Sequence, residues 1–402
     1  MSKIYQVIIV GGGASGLLCA TELVSGHNAF LGNDIAILER TDRVGKKLIA
    51  TGNGQGNLSN QNITTFNYYG DKNFIDIFLA EYNKLNLEDY FNSLGIPMST
   101  MPDGKKYPLS KQANSVLDTI RAYLISKGVN TITDFYAQTI TKDNGVYKVS
   151  SKDKCYYAQN VVLAVGGASG KQFGTDGTSY VLAQSLGHGL TKLYPSLVQI
   201  KTDTTLIKSL KGLKEQAKIT AYDGDVELKS AVGEVLFTEY GISGNAVFQV
   251  SGHLTTAKTP SVKIEFLPEL TLSQTEQIVG NRITNAPFVE KCDILNGILS
   301  KRVGQVVLKT AKDQTPKSIA YAIKNFTIKV TGNLGFNFAQ VTKGGIQTDR
   351  INPFTFESKL SRGVYIVGEQ LDVDGDCGGY NLTFAFTSGI LSAKAIKNKK
   401  EN

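Results

Sequence analysis

Cysteine and histidine are too few and too scattered in this 402-residue chain to build the sites they usually build. Cys19, Cys155, Cys292 and Cys377 lie far apart and make no CxxC pair. That argues against a disulfide framework, a zinc site or a thioredoxin-type motif, and fits a reducing compartment. His27, His188 and His253 are isolated and lack the spacing of metal ligands, so no metal site is expected. No apolar stretch approaches the roughly 20 residues of a membrane helix. The opening MSKIYQVIIVGGG has one basic residue and an apolar run too short for a signal peptide. The expected location is cytoplasmic, with no membrane partner. Repeats and low-complexity linkers are also absent, which excludes solenoids and arrays.

Glycine, by contrast, is abundant at 41 residues, so tight turns should be frequent. With 41% hydrophobic residues the chain can bury a large core and more than one domain. The net charge of +8 and pI near 9.0 suit a protein that meets anions. Phosphate-rich cofactors, acidic metabolites and nucleic acid all qualify, and charge alone does not choose among them. The cations are scattered apart from a terminal KNKKEN, read as a solvated helix end rather than a nucleic-acid arm.

Residues 4–10, IYQVIIV, are β-branched and apolar, as a strand buried on both faces should be. Glycines follow, then ASGLLCATELVSG with helical apolar spacing, then a second strand, DIAILER (34–40). That order is a βαβ unit. Residues 71–128 look mainly helical, NVVLAV (160–165) is a further buried strand, and 191–268 alternate as antiparallel β with turns at DG and GE. Helical periodicity returns over 269–326, FTIKV and FAQVT (within 326–342) look like strands, and GVYIVGE precedes a long closing helix in NLTFAFTSGILSAKAIKN. The expected fold class is α/β. A Rossmann-type domain, 1–190 and 342–402, is interrupted by a β-rich insert at 191–268, a helical insert at 269–326 and a return strand at 327–341.

Gly11, Gly13 and Gly16 form G-x-G-x-x-G between the first strand and helix. The three glycines serve the tight turn, the approach of a pyrophosphate, and close helix–strand packing. The helix start adds amide N–H groups and a positive dipole end. Glu39 ends the second strand, where an acid accepts from ribose hydroxyls and would repel a 2′-phosphate. A few residues on, GKKLIATGNGQGNLSN (45–60) contains no obvious catalyst. Lys46 and Lys47 could face a pyrophosphate or a flavin carbonyl. Gly52, Gly54 and Gly56 would let backbone lie flat against a planar ring, with Asn53 and Asn57 as amide partners. A plain surface turn has the same composition.

Several stretches together resemble the HI0933-like flavoproteins over nearly the whole chain: VIIVGGGASGLLCA, GKKLIATGNGQGNLSN, GKKYPLSKQANSVLDTI, AVGGASGKQFGTDGTSYVLAQSLGH, GEVLFTEYGISG, FAQVTKGGIQT and GEQLDVDGDCGGYNLTFAFTSG. These are NAD(P)/FAD-dependent oxidoreductases and include bile-acid 3-dehydro-Δ4,6-reductase-like members. The resemblance implies an FAD-binding Rossmann domain with a β-barrel-like and a helical module inserted. It implies that Ala14, Ser15, Glu39, Arg40 and Lys46 hold the ADP half, and that Gly166 and Gly167 continue the cradle. Gly368 and Glu369 would meet ribitol and pyrophosphate, and Gly379, Tyr380, Asn381 and Leu382 would lie near the isoalloxazine. The family usually reads GGGRCN where this chain reads GNGQGN, so Gln55 and Gly56 replace an arginine and a cysteine.

Other candidates carry less. Asp372, Asp374 and Asp376 alternate, but the 12-residue calcium loop with its final glutamate is absent. Cys377 has no second cysteine nearby and reads as a small packed residue. His188 ends a predicted helix, where dipole complementarity explains it as well as chemistry does. Tyr107 and Tyr380 could offer a phenol to a substrate carbonyl. No second fingerprint occurs, so NAD(P)H would dock only transiently. The expected function is an FAD-dependent oxidoreductase, passing hydride through a non-covalent flavin to an unsaturated or carbonyl-bearing small molecule. Its rivals are a flavin-containing RNA-binding or RNA-modifying protein, which the basic pI motivates, and a flavin-binding protein without turnover. No catalytic side chain is singled out.

Overall fold

The computed structural model describes residues 3–399. Two compact units emerge, Met1–Tyr194 with Val341–Asn402, and Pro195–Gln340. Each has its own hydrophobic cluster.

The first unit is built on a seven-stranded sheet. Ile4–Val10 lies at its centre, parallel to Ile35–Leu38 on one side and to Cys155–Leu163 on the other. Asn130–Ile132 extends the sheet beyond the second strand, and Val364–Ile366 joins Cys155–Leu163, both in parallel. Val7, Ile8 and Ile9 are fully buried, as a two-sided apolar strand demands. The registers bring Val10, Leu38 and Leu163 level, with Ile366 paired to Leu163. The loops after these four strands therefore open at one edge, the carboxyl edge where α/β sheets bind ligands. The remaining two strands, Thr139–Asp143 and Val146–Ser150, form a hairpin that continues the sheet in antiparallel sense. Its turn is Asn144-Gly145, both at positive φ. It lies outside the elements read from the sequence, although Asn-Gly between alternating residues is a strong hairpin signal.

Helix Ala14–Leu23 is buried over nearly its whole length, because the closing helix Tyr380–Asn398 lies across it. At the crossing a Cβ on Gly389 would run into the Ser15 carbonyl, so only glycine lets the backbones approach this closely. Lys397 of the closing helix pairs with Glu22, both buried, and Lys399 pairs with Glu357 at 2.6 Å. Lys397 is therefore structural, whereas Asn398 and Lys399 are exposed as at a solvated helix end; Lys400–Asn402 lie outside the described residues.

In the second unit six strands close an antiparallel barrel: Ile200–Thr202, Gly241–Ser243, Val226–Phe237, Lys214–Asp223, Pro260–Phe266 and Phe326–Asn333. Phe326, Ile328 and Val330 point inward and alternate with exposed Thr327 and Lys329, the period-2 pattern of a barrel wall. A helix, Asn245–Leu254, interrupts the β-rich stretch; its Ala246, Val247 and Val250 belong to the barrel core. Helices Leu272–Asn285, Lys301–Leu308 and Pro316–Lys324 follow. Thr271 with Gln274, and Thr315 ahead of Pro316, cap two of them. Among the described residues no helix is long and apolar enough to cross a membrane.

Three further elements differ from the sequence reading. The DIAILER strand runs only over Ile35–Leu38; the Glu39 N–H still reaches the Ile132 carbonyl, and its side chain turns to bind backbone N–H groups. FAQVT is a turn until Val341, since the N–H groups of Phe338 and Ala339 both reach back to the Gly335 carbonyl. Within 71–128, Met98–Thr100 and Lys105–Pro108 are strands, and Lys105–Lys106 pair with Ser59–Asn60.

Candidate functional site

The turn after the first strand is held from two sides. Gly11, at φ +107, donates its N–H to the Leu38 carbonyl, and a Cβ there would strike Ala164. A Cβ on Gly16 would be driven into the Gly11 carbonyl, so this glycine sets how closely the helix sits on the strand. Gly13 is different. It has an ordinary φ of −83°, and a Cβ built on it meets no atom within 4 Å. Open space thus faces the start of the helix, beside the unpaired N–H groups of its first turn.

Glu39 closes one side. It is 9% exposed, and its Oε2 accepts the Gly12 N–H at 2.8 Å. Its Oε1 accepts the N–H and the hydroxyl of Thr41, each at 2.9 Å. Arg40 is already paired. Its guanidinium makes a two-pronged pair with Asp176 at 2.8 and 3.2 Å and stacks on Tyr136. Burial would raise the Asp176 carboxyl, but hydrogen bonds from Arg40 and Thr178 outweigh it and hold it far below the carboxylate range. Lys46 pairs with Asp42. Of the two lysines, Lys47 is the one brought to the cradle, its Nζ 2.6 Å from Glu369 Oε2.

Glu369 ties three loops together. Its second oxygen accepts the Thr342 N–H at 3.1 Å. Thr342 Oγ1 accepts the N–H groups of Ala168 and Ser169 at 2.8 and 3.0 Å. A Cβ on Gly167 would lie 2.5 Å from Thr342 Oγ1 and 2.8 Å from Glu369 Oε1, while one on Gly166 would lie 2.9 Å from Thr175. Gly368 packs on the first helix, where a Cβ would come within 2.6 Å of Ser15 Oγ, and its N–H donates to Ser388 Oγ at 3.0 Å. The sequence reading missed Thr342, Ser169 and Ser388. Thr342 lies in the FAQVTKGG stretch that carries the family resemblance, but a single hydroxyl gives no periodic signal.

The stretch after Gly45 is more ordered than its composition suggests: Lys46–Ile49 is one helical turn, and Gly52, Asn53, Gly54 and Gly56 all take positive φ. Gly54 is exposed, and a Cβ built on it meets no atom within 4 Å. Asn57 turns inward. It is 7% exposed, and neither its Oδ1 nor its Nδ2 has a hydrogen-bond partner. It lies against Gly379, which caps the closing helix at φ +98 and where a Cβ would strike both Asn57 Oδ1 and the Ser59 carbonyl. Tyr380 packs edge-on against Tyr68, Asn381 pins Gly375 and Asp376 by three hydrogen bonds, and Leu382 is half-buried against the core.

A cradle thus runs from Gly13 past Lys47 and Glu369 to Asn57 and Gly379. An open face at a helix start suits a pyrophosphate, and an orphaned buried amide suits the pyrimidine edge of a flavin. These residues fit FAD.

The neighbouring candidates find structural partners. Asp376 accepts from the Tyr69 hydroxyl at 2.7 Å and from Asn67 at 3.3 Å. Among the described residues no three His, Cys, Asp or Glu side chains group to hold a metal. Burial pushes the Cys377 thiol up, away from the thiolate a redox role needs. His188 is buried, its Nε2 lies 2.8 Å from Ser358 Oγ, and burial pulls its pKa below the usual histidine value. The preceding helix, Tyr180–Gln184, ends four residues before His188, so the ring does not sit in its last turn.

The sheet, its glycine turn and this cradle are those of an FAD-dependent oxidoreductase. The chain matches the HI0933-like protein Rossmann domain over residues 5–395, and it belongs to that family. It is 33% identical over 410 residues to the 3-dehydro-bile acid delta(4,6)-reductase of Clostridium scindens, covering 98% of this chain and 99% of that protein. It is 26% identical to the ribosomal RNA dihydrouridine synthase of Haemophilus influenzae, over 99% of this chain and 100% of that one. Among solved structures it resembles 3-ketosteroid-delta4-(5alpha)-dehydrogenase from Rhodococcus jostii with a TM-score of 0.53 at 16% identity, over 99% of this chain and 98% of that chain. That likeness is one of fold.

Proposed function

We propose that this chain is a cytoplasmic FAD-dependent reductase acting on an unsaturated or carbonyl-bearing small molecule, with NAD(P)H as transient electron donor. The observation that carries the reading is the buried Asn57 amide, without a protein partner, at the start of the closing helix. In this reading Gly11 makes the tight turn, Gly13, Ala14, Ser15 and Gly16 bring backbone N–H groups to the pyrophosphate, and Glu39 accepts from the ribose. Gly166 and Gly167 wall the cradle, and Glu369 beside Gly368 holds Lys47 toward the phosphate–ribitol stretch. Asn57 and Gly379 to Leu382 face the isoalloxazine, where the helix N-terminus favours negative charge on the ring. When bound, FAD supplies the hydride chemistry. Arg40 and Lys46, which pair with Asp176 and Asp42, stand beside the ADP half, and Gly54 lies in the exposed turn that follows. The substrate class follows from the 33% identity to a reductase of 3-dehydro-bile acids.

The test is anaerobic. NADH or NADPH should bleach the flavin, and a conjugated 3-oxo steroid acid should restore its colour. A flavin that stays oxidised with both nucleotides would remove the donor, and reduced flavin indifferent to every enone would remove the substrate class. RNA modification is the second reading, favoured by the likeness to the dihydrouridine synthase and by the +8 charge. It predicts RNA affinity that falls steeply with salt, and flavin reoxidation by uridine-containing RNA.

A further inference from the structure

A cleft of about 270 Å3 lies beside the Gly52–Asn57 turn, lined by Gln55, Met101, Pro102, Asp103, Tyr107 and Lys111. Its wall is continuous with the cradle. A Cβ on Gly52 would lie 2.9 Å from Asn57 N and 3.3 Å from Tyr107 Cε1, and one on Gly378 would lie 3.6 Å from Lys105 Cε. One turn of chain therefore separates the orphaned Asn57 amide from the cleft.

The charges in the cleft do not cancel. Asp103 is already neutralised by Lys105, whose Nζ is 2.7 Å from its Oδ2 and whose backbone N–H reaches its Oδ1. Lys111 has no carboxylate partner among the described residues. It is held in place by a turn: its N–H donates to the Pro108 carbonyl at 2.8 Å, and its φ of +50° is a conformation most non-glycine residues avoid. Gln55, at the rim, adds an uncharged amide. Met101, Pro102 and the Tyr107 ring add apolar surface of the kind that stacks on flat rings. The volume falls just below the roughly 300–1,000 Å3 of ligand pockets, so it suits a small ring system or one end of a larger molecule.

We propose that this cleft binds a flat molecule carrying a carboxylate, its ring against Met101, Pro102 and Tyr107 and its carboxylate on Lys111. Only the further step, that the occupant is the substrate of the flavin site, rests on the function proposed above.

The probe is 2-naphthoate, followed by its own fluorescence anisotropy on the purified holoprotein, with 2-naphthamide as the uncharged analogue. Naphthoate should bind more tightly than naphthamide, and Lys111→Gln should weaken it roughly three- to tenfold while leaving naphthamide unchanged. Arg121→Gln, which removes an exposed cation remote from the cleft lining, should change neither. Equal affinity for acid and amide, no Lys111 dependence, or an equal loss in Arg121→Gln would each overturn the assignment. Because the signal comes from the probe, the two readings separate. A colourless protein with Lys111-dependent naphthoate binding would keep the cleft and remove the flavin function, and a yellow protein without that dependence would do the reverse.

Discussion

Asn57 separates a ligand-holding amide from a structural one, because the two roles predict opposite signs. Its Oδ1 and Nδ2 are buried without partners. An unmatched buried polar group costs about 1–3 kcal/mol. Asn57→Leu, close to it in size, should therefore stabilise the FAD-free protein by about 1–3 kcal/mol, raising its thermal midpoint by a few degrees. The same change removes one or two hydrogen bonds to the cofactor, each worth about 0.5–1.5 kcal/mol. FAD should then bind roughly 2- to 150-fold more weakly. The assay strips FAD from both proteins, compares their melting, and titrates FAD back by flavin fluorescence. An Asn57→Leu protein that melts lower and binds FAD within twofold of wild type would refute the reasoning.

The two glycines of the fingerprint should behave differently. Gly13→Ala meets no atom and no backbone strain, so it should fold within about 0.5 kcal/mol of wild type yet lose roughly tenfold or more in FAD affinity by dialysis. Gly16→Ala, whose Cβ runs into the Gly11 carbonyl, should instead be destabilised by several times that amount in chemical unfolding. Glu39→Gln turns an NH2 toward one of the donors now facing the carboxylate, and should cost about 1–3 kcal/mol in stability together with FAD retention. For His188 the folded pKa lies below the unfolded value of about 6.5. The unfolded chain takes up the proton first, so the contribution of the neutral ring is complete above about pH 6.5 and is lost as pH falls. His188→Gln should flatten the stability–pH curve of denaturant titrations in that window, and an unchanged slope would contradict the assignment.

The parts of the fold that the sequence revealed were those where one physical demand acts on consecutive residues. Val7–Val10 is apolar throughout because both of its faces are covered, and at Gly11 and Gly16 neighbouring backbone excludes a side chain, while Gly13 faces open space. The alternation of Phe326, Ile328 and Val330 marked a barrel wall in the same way. Illegible parts depend on partners distant in sequence. Thr342 matters because it meets Ala168 and Ser169, and nothing around position 342 announces that. Arg40 looked available until Asp176, far along the chain, was seen to take its guanidinium. Asn57 and Gly54 share one glycine-rich turn and the same composition, but only Asn57 points inward. Asn245–Leu254 has buried Ala246, Val247, Val250, Ser251 and Leu254 at helical spacing, but it stands inside a long run of alternating strands that set the reading of the whole stretch.

The most direct test of the central claim is the visible spectrum of the protein as purified, followed by acid precipitation and identification of whatever is released. The account predicts an oxidised-flavin spectrum and release of intact FAD into the supernatant, because no covalent link is invoked. A protein that is colourless, and remains so after incubation with FAD and removal of the excess, would contradict it.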